Sequence, residues 1–202
     1  MGRRPNPQRK QDLLDVIIEY LGDHGIGDLS LRPLAKRLGT STYTLTYQFG
    51  SKDQLLADAV AHAQAAQLRA VESWLAQSPQ LPASELLRRL WSWTLEPDNL
   101  RLVRMLLEAT TLAHSQPELF GQVGPQVVGH GVELIRQALQ RGGVAAAQAR
   151  GQATRVYATL VGLQVDLIAT GEAERVSAAV EELAQSLEIG TPVTQPAEAP
   201  KS

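Results

Sequence analysis

The sequence predicts an all-α protein of about nine helices, and three observations lead there. Apolar residues recur at helical spacing through most of the chain. Aromatic residues make up only 4% of it, while Ala, Leu and Gln recur throughout, which suits helices better than sheets. Gly, Pro and Ser fall between the apolar runs, where helix ends belong. With 44% hydrophobic and 20% charged residues over 202 positions, the chain can bury a core. It has no cysteine, which excludes disulfides, thiol nucleophiles and thiolate-held metals. No apolar run is long enough to span a membrane, and Met1 to Lys10 lacks the apolar stretch of a signal peptide. A soluble, cytoplasmic protein is expected.

Leu14, Ile17, Ile18 and Leu21 repeat at i, i+3, i+4 and i+7, so a first helix runs from about Gln8 to Asp23. Gly25 and Gly27 punctuate a tight connection. Ser30 can cap a second helix with Leu31, Leu34, Ala35 and Leu38 on its apolar face, and Pro33 falls in the first turn, where a missing N–H costs nothing. Gly39 ends that helix. The run from Ser41 to Phe49 is rich in Thr and Tyr and reads as a strand on propensity alone. A lone strand has no partner, so the serine cap and the flanking glycines make it a short third helix. Ser51 and Gln54 form a capping box that opens a long helix ending near Ser78 and Pro79.

Further helices are expected over 83–95, 97–114, 116–140, 144–170 and 172–188. A second capping box spans Ser115 to Glu118, and Pro125, beyond Gly121 and Gly124, predicts a kink or break in the 116–140 segment. The tail from Gly190 to Ser202 has three prolines and no periodicity and reads as disordered.

The formal charge of -2 does not advertise a nucleic-acid partner. Residues 1–53 nevertheless carry eight Lys/Arg against six Asp/Glu, and Arg3, Arg4, Arg9 and Lys10 are the densest basic cluster. Two short helices separated by Gly39-Thr40-Ser41 match a helix-turn-helix. Ser41, Thr42, Tyr43, Thr44, Thr46, Tyr47 and Gln48 of the second helix supply hydroxyls, phenols and an amide without any charge. Such groups suit thymine methyls, base edges and phosphate oxygens in a major groove. Ser30, Arg32 and Lys52 at neighbouring helix starts, with Arg3 and Arg4 ahead of the first helix, are placed to hold the DNA backbone. A plain Ala/Leu bundle also contains short helices joined by Gly-Ser turns, so spacing alone leaves both readings open.

Residues 9–56 resemble the amino-terminal DNA-binding domain of TetR-family transcriptional regulators. The resemblance runs through His24-Gly25, Ser30-Leu31-Arg32-Pro33-Leu34-Ala35 and Leu38-Gly39-Thr40-Ser41. It closes on Leu45-Thr46-Tyr47-Gln48-Phe49-Gly50-Ser51-Lys52-Asp53-Gln54-Leu55-Leu56. It implies that Phe49 locks the recognition helix into the core and that Lys52 contacts phosphate. Three positions depart from the family pattern: Thr46 stands where a tyrosine is usual, Tyr43 where a small residue is usual, and Thr40 in place of Val or Ala. They block any transfer of operator sequence.

The resemblance further implies residues 1–56 as the DNA-binding domain and 57–189 as a helical effector-binding and dimerisation domain. Val156, Leu160, Leu163 and Leu167, then Val176, Val180 and Leu183, form apolar stripes that suit either a homodimer face or an intrachain core. Trp91, Arg104, Met105, Glu108, Thr111, His130 and Tyr157 interrupt apolar helix segments and are candidates to line a pocket for a small apolar or amphipathic effector. Arg104 and Glu108 are also spaced for a solvated i,i+4 pair. No paired histidines, phosphate-cradling glycine loop or nucleophile elbow appears, so no metal, cofactor or catalytic site is expected. The expected function is a homodimeric repressor released from a palindromic operator by its effector. The alternatives are a constitutive or co-repressed regulator, or a helical adaptor that does not bind DNA.

Overall fold

The computed structural model describes residues 7–27 and 29–189. Arg3, Arg4 and the tail from Gly190 lie outside them. The described residues form helices throughout: α1 Pro7–His24, α2 Leu31–Arg37, α3 Thr42–Phe49, α4 Lys52–Gln77, α5 Ala83–Leu95, α6 Pro97–Leu112, α7 Pro117–Phe120, α8 Val123–Arg141, α9 Ala146–Thr170 and α10 Ala173–Ile189. None is long and apolar enough to cross a membrane.

The chain divides into two compact units. The first takes the described residues of Met1–Pro79 and Leu90–Gly131, the second those of Gln80–Arg89 and Val132–Ser202. In the first, the predicted stripe of α1 (Leu14, Ile17, Ile18, Leu21) is buried with Leu34 and Ala35 of α2, Leu45 and Phe49 of α3, and Leu55, Leu56, Ala59 and Val60 of α4. Leu102, Met105, Leu106 and Ala109 of α6 complete this core. The crossing of α1 and α6 depends on Gly22: a Cβ there would lie 2.5 Å from Arg101 Cβ and 2.8 Å from the Arg101 carbonyl oxygen. Any other residue would push α6 away.

In the second unit α9 and α10 pack along their apolar stripes. Val156, Leu160, Leu167, Val176 and Val180, placed by the sequence on a homodimer face, are buried within the single chain. Leu163 and Leu183 remain half-buried. The periodicity located the stripes correctly, but a stripe alone does not say whether its partner is the next helix or a second chain. Arg88 of α5 fixes α10 by a bidentate bond to Glu181, both contacts at or below 2.8 Å, and a third to Glu188 at 2.7 Å.

At one helix start the expected interruption is present, and at two others the local chemistry differs from expectation. The 116–140 segment breaks after Phe120, so α7 is a single turn and Pro125 lies in the first turn of α8, where proline is tolerated. The second capping box does not form, because Ser115 Oγ donates back to Leu112 O at 3.2 Å and Gln116 takes the N-cap position of α7. The first forms by half: Ser51 Oγ accepts from Gln54 N–H at 3.0 Å, while the Gln54 amide turns forward to Asp58 at 3.0 Å.

Candidate nucleic-acid interface

The residues from Leu31 to Phe49 fold as two short helices around one turn. Gly39 adopts φ +60 between them, and Gly50 adopts φ +83 immediately after α3, both in the region that favours glycine. Ser41 is the N-cap of α3, its Oγ accepting from Thr44 N–H at 3.1 Å. The β-propensity of the Thr/Tyr run is therefore overridden by a cap at one end, a glycine at the other and two buried anchors, Leu45 and Phe49, one helical turn apart.

With those anchors inward, the opposite side of α3 is left uncovered. Tyr43 is 78% exposed and Tyr47 53%, unusual values for aromatic side chains. Thr42 and Thr46 are also exposed, while Thr44 and Gln48 are half-buried on the flanks. Ser30 is the N-cap of α2, although its hydroxyl makes no capping bond, and Arg32 is exposed in that helix's first turn. Lys52 is the first residue of α4. Neither Arg32 nor Lys52 pairs with an acid among the described residues. In the chain, Arg32 of α2 precedes and Lys52 of α4 follows the uncharged α3.

Lys10 is the member of the basic cluster whose role changes. Its Nζ bonds Asp58 at 2.6 Å and stands 5.3 Å above the centre of the Phe49 ring. It clamps α1 to α4 over the aromatic that anchors α3. The clamp links residues 48 positions apart, so no local pattern announces it.

The residues proposed for an effector pocket scatter. Met105 is fully buried in the core of the first unit, and Trp91 is buried on α5. Arg104 and Glu108 do not use their i,i+4 spacing on each other. Arg104 Nη1 donates to Gly22 O at 3.1 Å, and Glu108 Oε1 accepts from Ile26 N–H at 2.9 Å and Gly27 N–H at 3.1 Å. Thr111 is exposed and donates to Glu108 O at 2.8 Å, and His130 is exposed on α8. Tyr157 lies in the second unit, where burial pushes its phenol up to about 12. That unit also holds a groove of about 230 Å³ with apolar walls from Leu139, Val144, Val156, Leu183 and Leu187, rimmed by Gln152, Arg155, Thr159 and Ser186. Of the sequence-predicted residues it includes only Val156 and Leu183, both assigned to the homodimer face.

Comparison with known proteins agrees with the geometry of the first unit. The fold is similar to a transcriptional regulator from Rhodococcus sp. Rha1, at TM-score 0.75 and 20% identity over 95% of this chain and all of that one. It is similar to a TetR transcription regulator from Haloarcula marismortui, at TM-score 0.75 and 20% identity over 91% and 98%. A TetR transcriptional regulator from Legionella pneumophila gives TM-score 0.72 and 14% identity over 92% and 98%. No curated protein matches the chain significantly. Residues 13–59, spanning most of α1, all of α2 and α3 and the start of α4, match the family described as bacterial regulatory proteins, tetR family. The matched segment is the one that folds as the helix-turn-helix, so the likeness to the tetR family is shown for residues 13–59 and the rest of the chain shares the fold of the solved structures.

Proposed function

We propose that the chain is a homodimeric repressor that holds a two-fold operator through α3 and is released by a small, largely apolar effector. The observation that carries the DNA-binding part is the uncharged, uncovered face of α3 between Arg32 and Lys52. It offers base-contacting groups in the centre and phosphate-contacting cations at the edges. Residues 1–56 act as the DNA-binding domain, and 57–189 as the effector-binding and dimerisation domain. A single eight-residue reading helix gives too few contacts for specific binding, so two copies read half-sites roughly 34–36 Å apart. Half-buried Leu163 and Leu183 are the residues of the proposed homodimer stripe that a second chain can still cover.

Release runs through α6. Glu108 holds the turn between α1 and α2, so a shift of α6 on effector binding is felt where α2 begins. A coupling of about 1–3 kcal/mol changes DNA affinity by roughly 5–150-fold. Selecting bound duplexes from a random pool tests this reading: enriched inverted repeats at one helical turn or a multiple support it, and an unenriched pool refutes it. A thermal-shift screen of apolar metabolites, with each hit titrated into the DNA complex, tests release. A stabilising compound that leaves DNA affinity unchanged or raised counts against induction by that compound.

A further inference from the structure

α3 carries no charged side chain and no asparagine. Tyr43 and Tyr47, one turn apart and directed away from buried Leu45 and Phe49, stack with ring centroids 6.5 Å apart and planes at 21°. They form an apolar plate on the outermost line of the helix. Of the hydroxyls beside the plate, those of Thr44 and Thr46 are held by the helix or its cap, and Thr42 is exposed in the first turn. Thr46 Oγ1 donates its proton to Thr42 O at 2.9 Å. Ser41 Oγ accepts from Thr44 N–H and lies 2.9 Å from Thr44 Oγ1. A threonine whose oxygen is held by its own helix presents its methyl group outward, and Thr46 is exposed. Gln48 is half-buried, with its Oε1 enclosed and unavailable to a base edge.

The major groove distinguishes bases by donors, acceptors and one apolar mark. Guanine is read chiefly by paired bonds from Arg or Lys to O6 and N7, and adenine by Asn or Gln at N6 and N7. Thymine alone carries a methyl group. Arg32 and Lys52, which pair with no acid among the described residues, belong to α2 and α4, where they suit backbone phosphates. Resting on the DNA-binding reading above, we infer that α3 reads the C5 methyl groups of thymines. The Tyr43–Tyr47 plate and the Thr46 methyl take thymine-rich half-sites, and hydrogen bonds to guanine contribute little to selection.

The test uses the duplex that the full chain selects from a random pool. Each thymine is replaced in turn by deoxyuridine, which removes only the methyl, and each guanine by 7-deazaguanine, which removes N7. Affinity is expected to fall about fourfold for each methyl covered by the plate, at two or more positions in each half-site. The guanine replacements are expected to be silent within half-sites. Because Tyr43 is so exposed, its variants fold: Tyr43→Phe keeps the uracil sensitivity and Tyr43→Ser loses it at one position. Uracil replacement without effect across both half-sites, or a loss confined to guanine N7, overturns the inference while leaving DNA binding intact. A pool that yields no enriched sequence overturns the DNA-binding reading itself.

Discussion

Replacing Glu108 by alanine removes a carboxylate that binds the turn between α1 and α2. In the folded chain its Oε1 accepts from two backbone groups, Ile26 N–H at 2.9 Å and Gly27 N–H at 3.1 Å. A hydrogen bond to a charged acceptor contributes about 1.5–3 kcal/mol, and a buried donor left unpaired costs about 1–3 kcal/mol. The two positions differ. Ile26 is 2% exposed, so water replaces the lost acceptor poorly, whereas Gly27 is exposed and its N–H is rehydrated. The net cost of Glu108→Ala is therefore about 2 kcal/mol, close to one well-placed charged bond. In a chain of this size that corresponds to a fall of roughly 4–8 °C in Tm. Glu108→Gln keeps a carbonyl oxygen in place and loses only the charge, about half as much. The turn leads directly into α2, so DNA affinity falls as well, in a chain still folded at room temperature. Thermal melts and a DNA titration of both variants measure this. An alanine variant that melts with the parent and binds DNA equally refutes the assignment of Glu108 to this turn.

Lys52→Ala and Arg32→Ala are expected to weaken binding to all duplexes alike and to lower the salt slope by about one each, measured by anisotropy over a salt series. Ser41→Ala removes the cap of α3 and destabilises the chain by about 1 kcal/mol in urea melts, since Thr44 N–H loses its acceptor. The Arg88 guanidinium, bonded directly to Glu181, holds that carboxyl at about 2, well below its ordinary value near 4.5. The folded chain therefore binds that proton less readily than the unfolded one. The pair's contribution is present above pH 4.5 and is lost as pH falls toward 2. Glu181→Gln should flatten stability against pH in that window, and an unchanged acid titration would sink the claim.

What the sequence revealed was what is local. Caps, glycines and the i, i+3, i+4 stripes of α1 and α2 specify helix type and the buried side because they act within one or two turns. The break after Phe120 was half-legible: Pro125 signalled an interruption, but the competing bond from Ser115 to Leu112 O moved the start of α7 by one residue. Contacts distant in sequence were not legible. Lys10 reads as one more free cation until α4 brings Asp58 beside it, and Glu108 reads as a pocket anchor or helix-surface acid until α6 crosses α1 at Gly22. The exposed face of α3 was legible because its two anchors, Leu45 and Phe49, fix by periodicity which residues point away.

The central claim is that α3 and its flanking cations select a DNA sequence. Its most direct measurement is the affinity of the full chain for its selected duplex against a scrambled duplex of equal length and composition, at one physiological salt concentration. The account predicts a ratio of roughly 10³ or more, lowered by Tyr43→Ser but unchanged by Lys52→Ala, which weakens both complexes together. A ratio near one, with both duplexes bound equally, would contradict it.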